Sequence, residues 1–249
     1  MTCNQIFVNA KYIAMGLLKG KVIFLTGGSD GIGFECFKAY ASAGALVAIA
    51  SLGQAQIDRA MLEVPGNHLG ILCDVADARQ VELAIAKTIE KYGRIDAIHN
   101  NAGIAGASKM LHETTDEEWD DLMRVNLRGI YNTTKFGFAS LLSSKGSILT
   151  TSSMVGEMGQ SLHAAYTATK GAVNALTKSM ALDYAPMGIR VNAVSPAGVW
   201  TPMLRDWSAS QPDPTAMEAY LDSIHALGYC PNGDVIADAC VFLLSEKAR

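Results

Sequence analysis

Short unbroken apolar runs alternate along this chain with longer amphipathic stretches, and the alternation predicts its elements. Val22 to Thr26 is rich in branched and aromatic side chains and runs into glycines at 27, 28, 31 and 33, the pattern of a buried strand entering a tight turn. Phe34 to Ala43 then repeats at helical period and stops at Gly44, a glycine placed where helices end. Ala45 to Ala50, Leu69 to Cys73 and Ala97 to Asn100 read as further short strands, with an amphipathic helix from about Ala78 to Tyr92 closed by Gly93. Asp116 to Ser143 reads as helical over most of its length. A strand from Gly146 to Thr151, a helix from Ala164 to Asp183, a strand from Arg190 to Ser195 and a helix from Val235 to Leu244 follow. Pro196 to about Ser223 breaks the rhythm: four prolines, Trp200, Trp207 and little early periodicity predict a long loop with short helical pieces, as in a lid or binding loop. Strands alternating with helices require a parallel sheet covered on both faces, so the expected fold is a single α/β domain with a doubly wound parallel sheet.

At 249 residues, 49% hydrophobic and 18% charged, the chain has enough apolar material for one core and no stretch with the composition of disorder. Residues 1–18 carry apolar side chains without the basic start or continuous apolar centre of a secretion signal, and are read as a leader packed on a domain of residues 19–249. No run reaches the ~18 apolar residues of a membrane span. The net charge of −4 gives no electrostatic reason to expect nucleic acid or an anionic membrane, which leaves a small molecule as the partner. Five widely spaced cysteines, Cys3, Cys36, Cys73, Cys230 and Cys240, read as free buried thiols of a reducing compartment, hence a cytoplasmic protein. The five histidines show no metal-ligand spacing with any Cys or carboxylate cluster, so no metal is expected.

Candidate chemistry gathers in two places. Tyr166 and Lys170 are four apart on a predicted helix and share one face, roughly 5–6 Å between Cβ atoms. A nearby ammonium favours phenolate, which suits Tyr166 to general acid/base work, and Ser153 is placed to donate to a substrate oxygen on which charge develops. As an isolated pair, Tyr and Lys one turn apart are more often a solvated helix face. The second place is the turn after the first strand, where glycines 27, 31 and 33 leave bare N–H groups and a helix start to face a pyrophosphate. Asn100-Asn101-Ala102-Gly103 ends another predicted strand on the same rim.

Together these motifs resemble the short-chain dehydrogenase/reductase family. The matching residues are Thr26-Gly27-Gly28-Ser29-Asp30-Gly31-Ile32-Gly33, Asp74, Asn100 to Gly103, Val125-Asn126-Leu127, Ser153, Tyr166 with Lys170, and Pro196 to Thr201, in the family's order over about residues 17–245. The resemblance implies a Rossmann-type fold and reversible hydride transfer between a nicotinamide cofactor and a secondary alcohol or ketone. It implies that Tyr166 is the general acid/base, that Ser153 polarises the carbonyl, that Lys170 lowers the tyrosine pKa and binds ribose, and that Asn126 holds a water linking Lys170 to solvent. Cofactor contacts would come from Gly27, Ser29, Asp30, Gly31, Ile32 and Gly33, from Ser51 and Leu52, from Asp74 and Val75, and from Asn101, Ala102 and Gly103. Tyr166, Lys170, Pro196, Gly198, Val199 and Thr201 complete that set; Ala197 stands where the family often has glycine. Met154, Met158, His163, Trp200 and Trp207 are the substrate candidates.

Ser51-Leu52 is neither the acid of NAD-using relatives nor the base of NADP-using ones, and the charge of Asp30 should oppose a 2′-phosphate, so NAD(H) is favoured over NADP(H). Homotetramer or homodimer formation is expected through the helices around 116–143 and 164–183. The family usually continues into a last strand and an Asp-Gly-Gly tail, so a seventh strand is either absent or outside the sequence ending at Arg249. A ketoacyl-type reductase is an alternative enzyme reading. A nucleotide-binding regulatory protein without turnover is the alternative from another class, and the intact Ser153, Tyr166, Lys170 and Asn126 speak against it.

Overall fold

Among the described residues six parallel strands form the sheet: β1 (Val22–Thr26), β2 (Leu46–Ser51), β3 (Leu69–Leu72), β4 (Ala97–Asn100), β5 (Ser147–Thr151) and β6 (Arg190–Val194), in the order β3-β2-β1-β4-β5-β6. The computed structural model describes residues 16–249, so most of the expected leader lies outside the described residues. Leu18 lies within them and is fully buried in the core, with its N–H on the Ala43 carbonyl; the domain therefore starts before residue 19.

The helices divide between the two faces. On one side α1 (Gly31–Ser42), α2 (Gln54–Glu63) and α10 (Gly233–Leu244) pack on Ile23, Leu25, Val47, Ile49 and Leu149. On the other, α3 (Ala78–Tyr92), α5 (Gly129–Ser144) and α7 (Ala164–Tyr184) cover Phe24, Ala48, Ile98 and Ile148. Strands buried on both faces explain why they read as continuous apolar runs without alternation. Local signals set the helix ends. The Asp77 side chain accepts from the N–H groups of Arg79 and Gln80 to start α3, and Gly93 at φ +79° ends it.

Between α4 (Asp116–Met123) and α5, residues Arg124–Arg128 form a π turn, so the long helix expected over 116–143 is continuous but carries one wide turn. Two expectations are corrected. The helix α2 was not anticipated: only Ile57 and Ala60 are buried on it and Gly53 offers no capping side chain, so its pattern is faint. The segment from Pro196 to Ser223 is mostly helix, with α8 (Pro202–Ala209) and α9 (Pro214–Ser223), after the four-residue α6 (Val155–Met158) further upstream. Two of its four prolines, Pro202 and Pro214, sit in the first turns, capped by Thr201 and Asp213, where a missing N–H costs nothing.

Candidate active site

The strand order reverses between β1 and β4, and the crevice at their carboxyl ends is where ligands settle in such sheets. The Thr26 hydroxyl accepts from the N–H groups of Asn101 and Ala102, both at 3.0 Å, and the Asn101 amide donates to the carbonyls of Thr26 (3.2 Å) and Gly27 (3.3 Å). Two sequence motifs are thereby bound into one rim. Gly27 turns at φ +65°, and a side chain at Gly33 would collide with the Gly27 carbonyl oxygen, so the first turn of α1 meets the loop only because it is bare. Ile32 packs at the edge of the core beneath it.

This rim fits a dinucleotide. Ser51, at the end of β2, is buried, and its hydroxyl has no protein partner, a buried polar atom that a ligand hydroxyl would satisfy. Leu52 beside it is exposed. The Asp30 carboxylate caps α1 by accepting from the Gly31 N–H at 2.8 Å, and Arg59 of α2 reaches it at 3.9 Å while also touching the buried Ser29 through its carbonyl. Arg59 escaped the sequence reading because nothing local marks a helix surface arginine. Asp74 holds Arg124 at 2.9 Å and caps a turn through the Ala76 N–H. Val75 is buried against Gly129 with its carbonyl taken by Asn132. Val199 is buried, and Thr201 caps α8 with its side chain over Gly31. Pro196 accepts from the Met154 N–H, and Gly198 accepts from His225 at 3.1 Å, close enough that a side chain there would meet the ring.

The second group assembles where β5 passes through α6 into α7. The Ser153 side chain lies beside the Tyr166 phenol, near enough to hold its pKa down, and the phenol is half-buried. The Lys170 ammonium donates to the Thr151 carbonyl at 2.8 Å and stands 5.6 Å from the centre of the Tyr166 ring. Gly103 leaves the space: a Cβ there would lie 3.7 Å from the Lys170 nitrogen and 3.2 Å from the Asn126 amide oxygen. Burial raises the Tyr166 pKa and the Ser153 side chain pulls it back, while burial lowers Lys170 to about 8. In the protein alone, then, desolvation and not the amine dominates the phenol, contrary to the expectation from spacing.

Asn126 sits in the π turn with both amide ends engaged: the oxygen accepts from the Ile104 N–H, and the nitrogen donates to the Ile104 carbonyl and the Thr169 hydroxyl. Its amide braces two chain segments and keeps one lone pair of its oxygen for a further donor. Ser152, by contrast with Ser153, is buried with its hydroxyl on Asn174. Glu157 faces α7, accepting from Asn174 and pairing with Lys178.

At the outer edge, Trp207 of α8 donates through its indole N–H to Ser108 at 2.9 Å, and Ser108 lies 3.1 Å from the His163 ring. His163 also stacks edge-on with Trp207 three residues before Tyr166. Trp200 goes elsewhere, lining a cleft of about 420 Å³ beside Gly31 with Arg205 4.9 Å over its ring. Met154 and Met158 are exposed at the rim, Met158 the more so.

Comparison with known proteins places this arrangement. The short chain dehydrogenase family model matches residues 21–212. L-fucose dehydrogenase of Bos taurus is 40% identical over 235 residues, covering 94% of this chain and 87% of that protein. 2,5-dichloro-2,5-cyclohexadiene-1,4-diol dehydrogenase of Sphingobium indicum is 34% identical over 94% of this chain and 93% of its own. Among solved structures, the 3-ketoacyl-(acyl-carrier-protein) reductase of Brucella melitensis complexed with NADH superposes with a TM-score of 0.87 at 30% identity, over 93% of each chain. The chain belongs to the short-chain dehydrogenase family, and it is an NAD(P)-dependent oxidoreductase interconverting alcohols and ketones.

Proposed function

We propose that Tyr166 is the general acid/base of this reaction, and that the substrate is a neutral secondary alcohol with neighbouring hydroxyl groups. The observation that carries the first part is the meeting of the Ser153 hydroxyl, the Tyr166 phenol and the Lys170 ammonium beside the nucleotide rim. A bound nicotinamide dinucleotide supplies hydride acceptance or donation. In oxidation the Tyr166 phenolate takes the hydroxyl proton and Ser153 holds the substrate oxygen in line. A charged Lys170 favours the phenolate, and the Thr151 carbonyl keeps its nitrogen over the ring. Asn126 and Gly103 keep that space open and shaped. Gly27, Gly31 and Gly33 would bear the pyrophosphate, with Asp74, Val75, Asn101 and Ala102 toward adenosine and Val199 and Thr201 toward nicotinamide.

The substrate reading rests on the outer edge, where Ser108, His163 and the Trp207 indole set hydrogen-bonding groups around an aromatic face. It agrees with the names of the sugar and diol dehydrogenases among the relatives. NAD(H) is favoured because Arg59 stands against two carboxylates, Asp30 at 3.9 Å and Glu63 at 3.8 Å, so the rim stays negative where a 2′-phosphate would lie. The unpartnered Ser51 hydroxyl suits a ribose hydroxyl. Self-association is supported by an apolar surface of Leu127, Tyr131, Ala172, Ala175 and Leu176 on the π turn, α5 and α7. Four buried free thiols among the described residues favour the cytoplasm.

The test is a panel of sugars, diols and simple ketones followed at the nicotinamide absorbance, with Tyr166→Phe as control. Loss of about 10²–10⁴-fold in turnover with cofactor binding retained is expected of a general acid/base. Turnover that persists in the variant sinks the mechanism.

A further inference from the structure

A group of wholly buried polar side chains lies just beneath the site described above. His99, in β4, is wholly inaccessible, as is Tyr40 of α1. The Tyr40 hydroxyl is 2.8 Å from His99 Nδ1, and His99 Nε2 is 2.9 Å from the Thr151 hydroxyl. Thr151 Oγ1 in turn is 3.1 Å from the Asn101 amide oxygen. Cys36 and Cys240 close the inner end, within 4.8 Å of the His99 ring, a gathering that sequence spacing did not reveal; both ring nitrogens are already engaged by oxygen partners.

The sense of every bond follows from the far end. The Asn101 nitrogen faces two carbonyls, Thr26 and Gly27, so its oxygen is the atom turned to Thr151. Thr151 has one proton and uses it on that oxygen. It must therefore accept from His99, which puts the ring proton on Nε2 and the lone pair on Nδ1. Only a donor satisfies that lone pair, and Tyr40 is the donor. A single tautomer makes all these bonds; the other leaves His99 Nε2 without a proton for Thr151, forces the Thr151 proton inward, and frees the Asn101 oxygen. Thr151 also supplies the carbonyl that holds Lys170, so one residue joins the buried chain to both halves of the site.

We infer that Tyr40 and His99 are positioning residues of the nucleotide site, acting through the Thr151 hydroxyl to fix the Asn101 amide and, with it, the Gly27 turn. The inference rests on the nucleotide reading of that rim. A neutral relay of this kind moves no proton; it selects one orientation of an amide that a dinucleotide would otherwise have to order on binding.

The experiment measures NADH binding by fluorescence titration in wild type, Thr151→Val, Thr151→Ser and Tyr40→Phe, with the His99 tautomer read from ring 15N shifts. Thr151→Val keeps the carbonyl and removes the hydroxyl, and should weaken binding about tenfold, the scale of one buried hydrogen bond lost. Thr151→Ser restores the hydroxyl and should bind within about twofold of wild type, a rescue that simple core disruption would not give. Tyr40→Phe leaves the Nδ1 lone pair without its donor and should weaken binding at least about threefold, with the ring proton still on Nε2 where Thr151 accepts it. If Thr151→Val does not fold, Tyr40→Phe decides alone. Wild type that binds NADH while the folded variants bind it equally well overturns this inference only; wild type that binds neither NADH nor NADPH overturns the nucleotide reading with it.

Discussion

Acid should destabilise this protein chiefly through one residue. His99 is buried without a charged partner, and desolvation takes its pKa to about 3. In the unfolded chain an exposed histidine titrates near ~6.5. A depressed folded-state pKa means that the unfolded chain binds the proton first, so stability is whole above about pH 6.5 and falls as pH drops toward 3. At about pH 5 the unfolded histidine is almost fully charged while the folded one is neutral, a loss of roughly 2 kcal/mol relative to neutral pH. Below pH 3 the loss approaches about 5 kcal/mol, at 1.36 kcal/mol per pKa unit. Against a typical ~5–15 kcal/mol of total stability either amount is readily measured. The assay is urea unfolding of wild type and His99→Gln at about pH 7.5 and about pH 5. The variant is expected to be less stable at neutral pH but to lose about 2 kcal/mol less on acidification. His68, whose pKa burial also lowers, acts in the same direction in both proteins and cancels in the comparison. Equal losses in the two proteins would refute the argument, because they would mean that His99 is not held neutral by its surroundings.

Three further outcomes follow from the same geometry. Steady-state kinetics should give a higher kcat/KM with NAD(H) than with NADP(H), and Asp30→Ser, which releases Arg59 from one carboxylate, should narrow the gap several-fold; a tenfold preference for NADP(H) in the wild type would contradict the electrostatic reading. Trp207→Ala should raise KM for polyhydroxy substrates about tenfold through lost hydrogen bonding and ring contact, whereas an unchanged KM would reduce Ser108, His163 and Trp207 to a fastening for α8. Light scattering should report an oligomer that Leu176→Glu dissociates, and a monomeric wild type would remove the role assigned to the apolar face of α5 and α7.

The fold was largely legible because its signals are local. The helix α3 spans Ala78–Tyr92 as its periodicity indicates, since the Asp77 cap and the Gly93 stop both lie within a turn of its ends. The first turns of α8 and α9 were less readable for an instructive reason: Pro202 and Pro214 look like loop residues until the caps at Thr201 and Asp213 mark them as first helical positions. At the site, the i, i+4 spacing of Tyr166 and Lys170 placed phenol and amine on one helix face, but the carbonyl that aims the amine belongs to Thr151, nineteen residues upstream. The chain from Tyr40 through His99 to Asn101 was not legible at all. Its members come from three elements and meet only when the sheet has formed, and an apolar run containing one histidine gives no hint of which neighbours will satisfy it.

The π turn at Arg124–Arg128 has a consequence for how the chain tolerates change in length. An α-helix advances 100° per residue, and a π turn spreads one extra residue over nearly the same rotation, so the helices before and after it keep about the phase of an uninterrupted helix. Ile130 and Leu141 therefore stay buried against the sheet, and the apolar surface near Tyr131 keeps its direction. What the wide turn carries is Asn126, whose amide grips Ile104 on the neighbouring segment. One wide turn thus serves the residue that braces the site without disturbing the helix that covers the core. Removing one residue there should leave the core packing in place and cost the Asn126 brace.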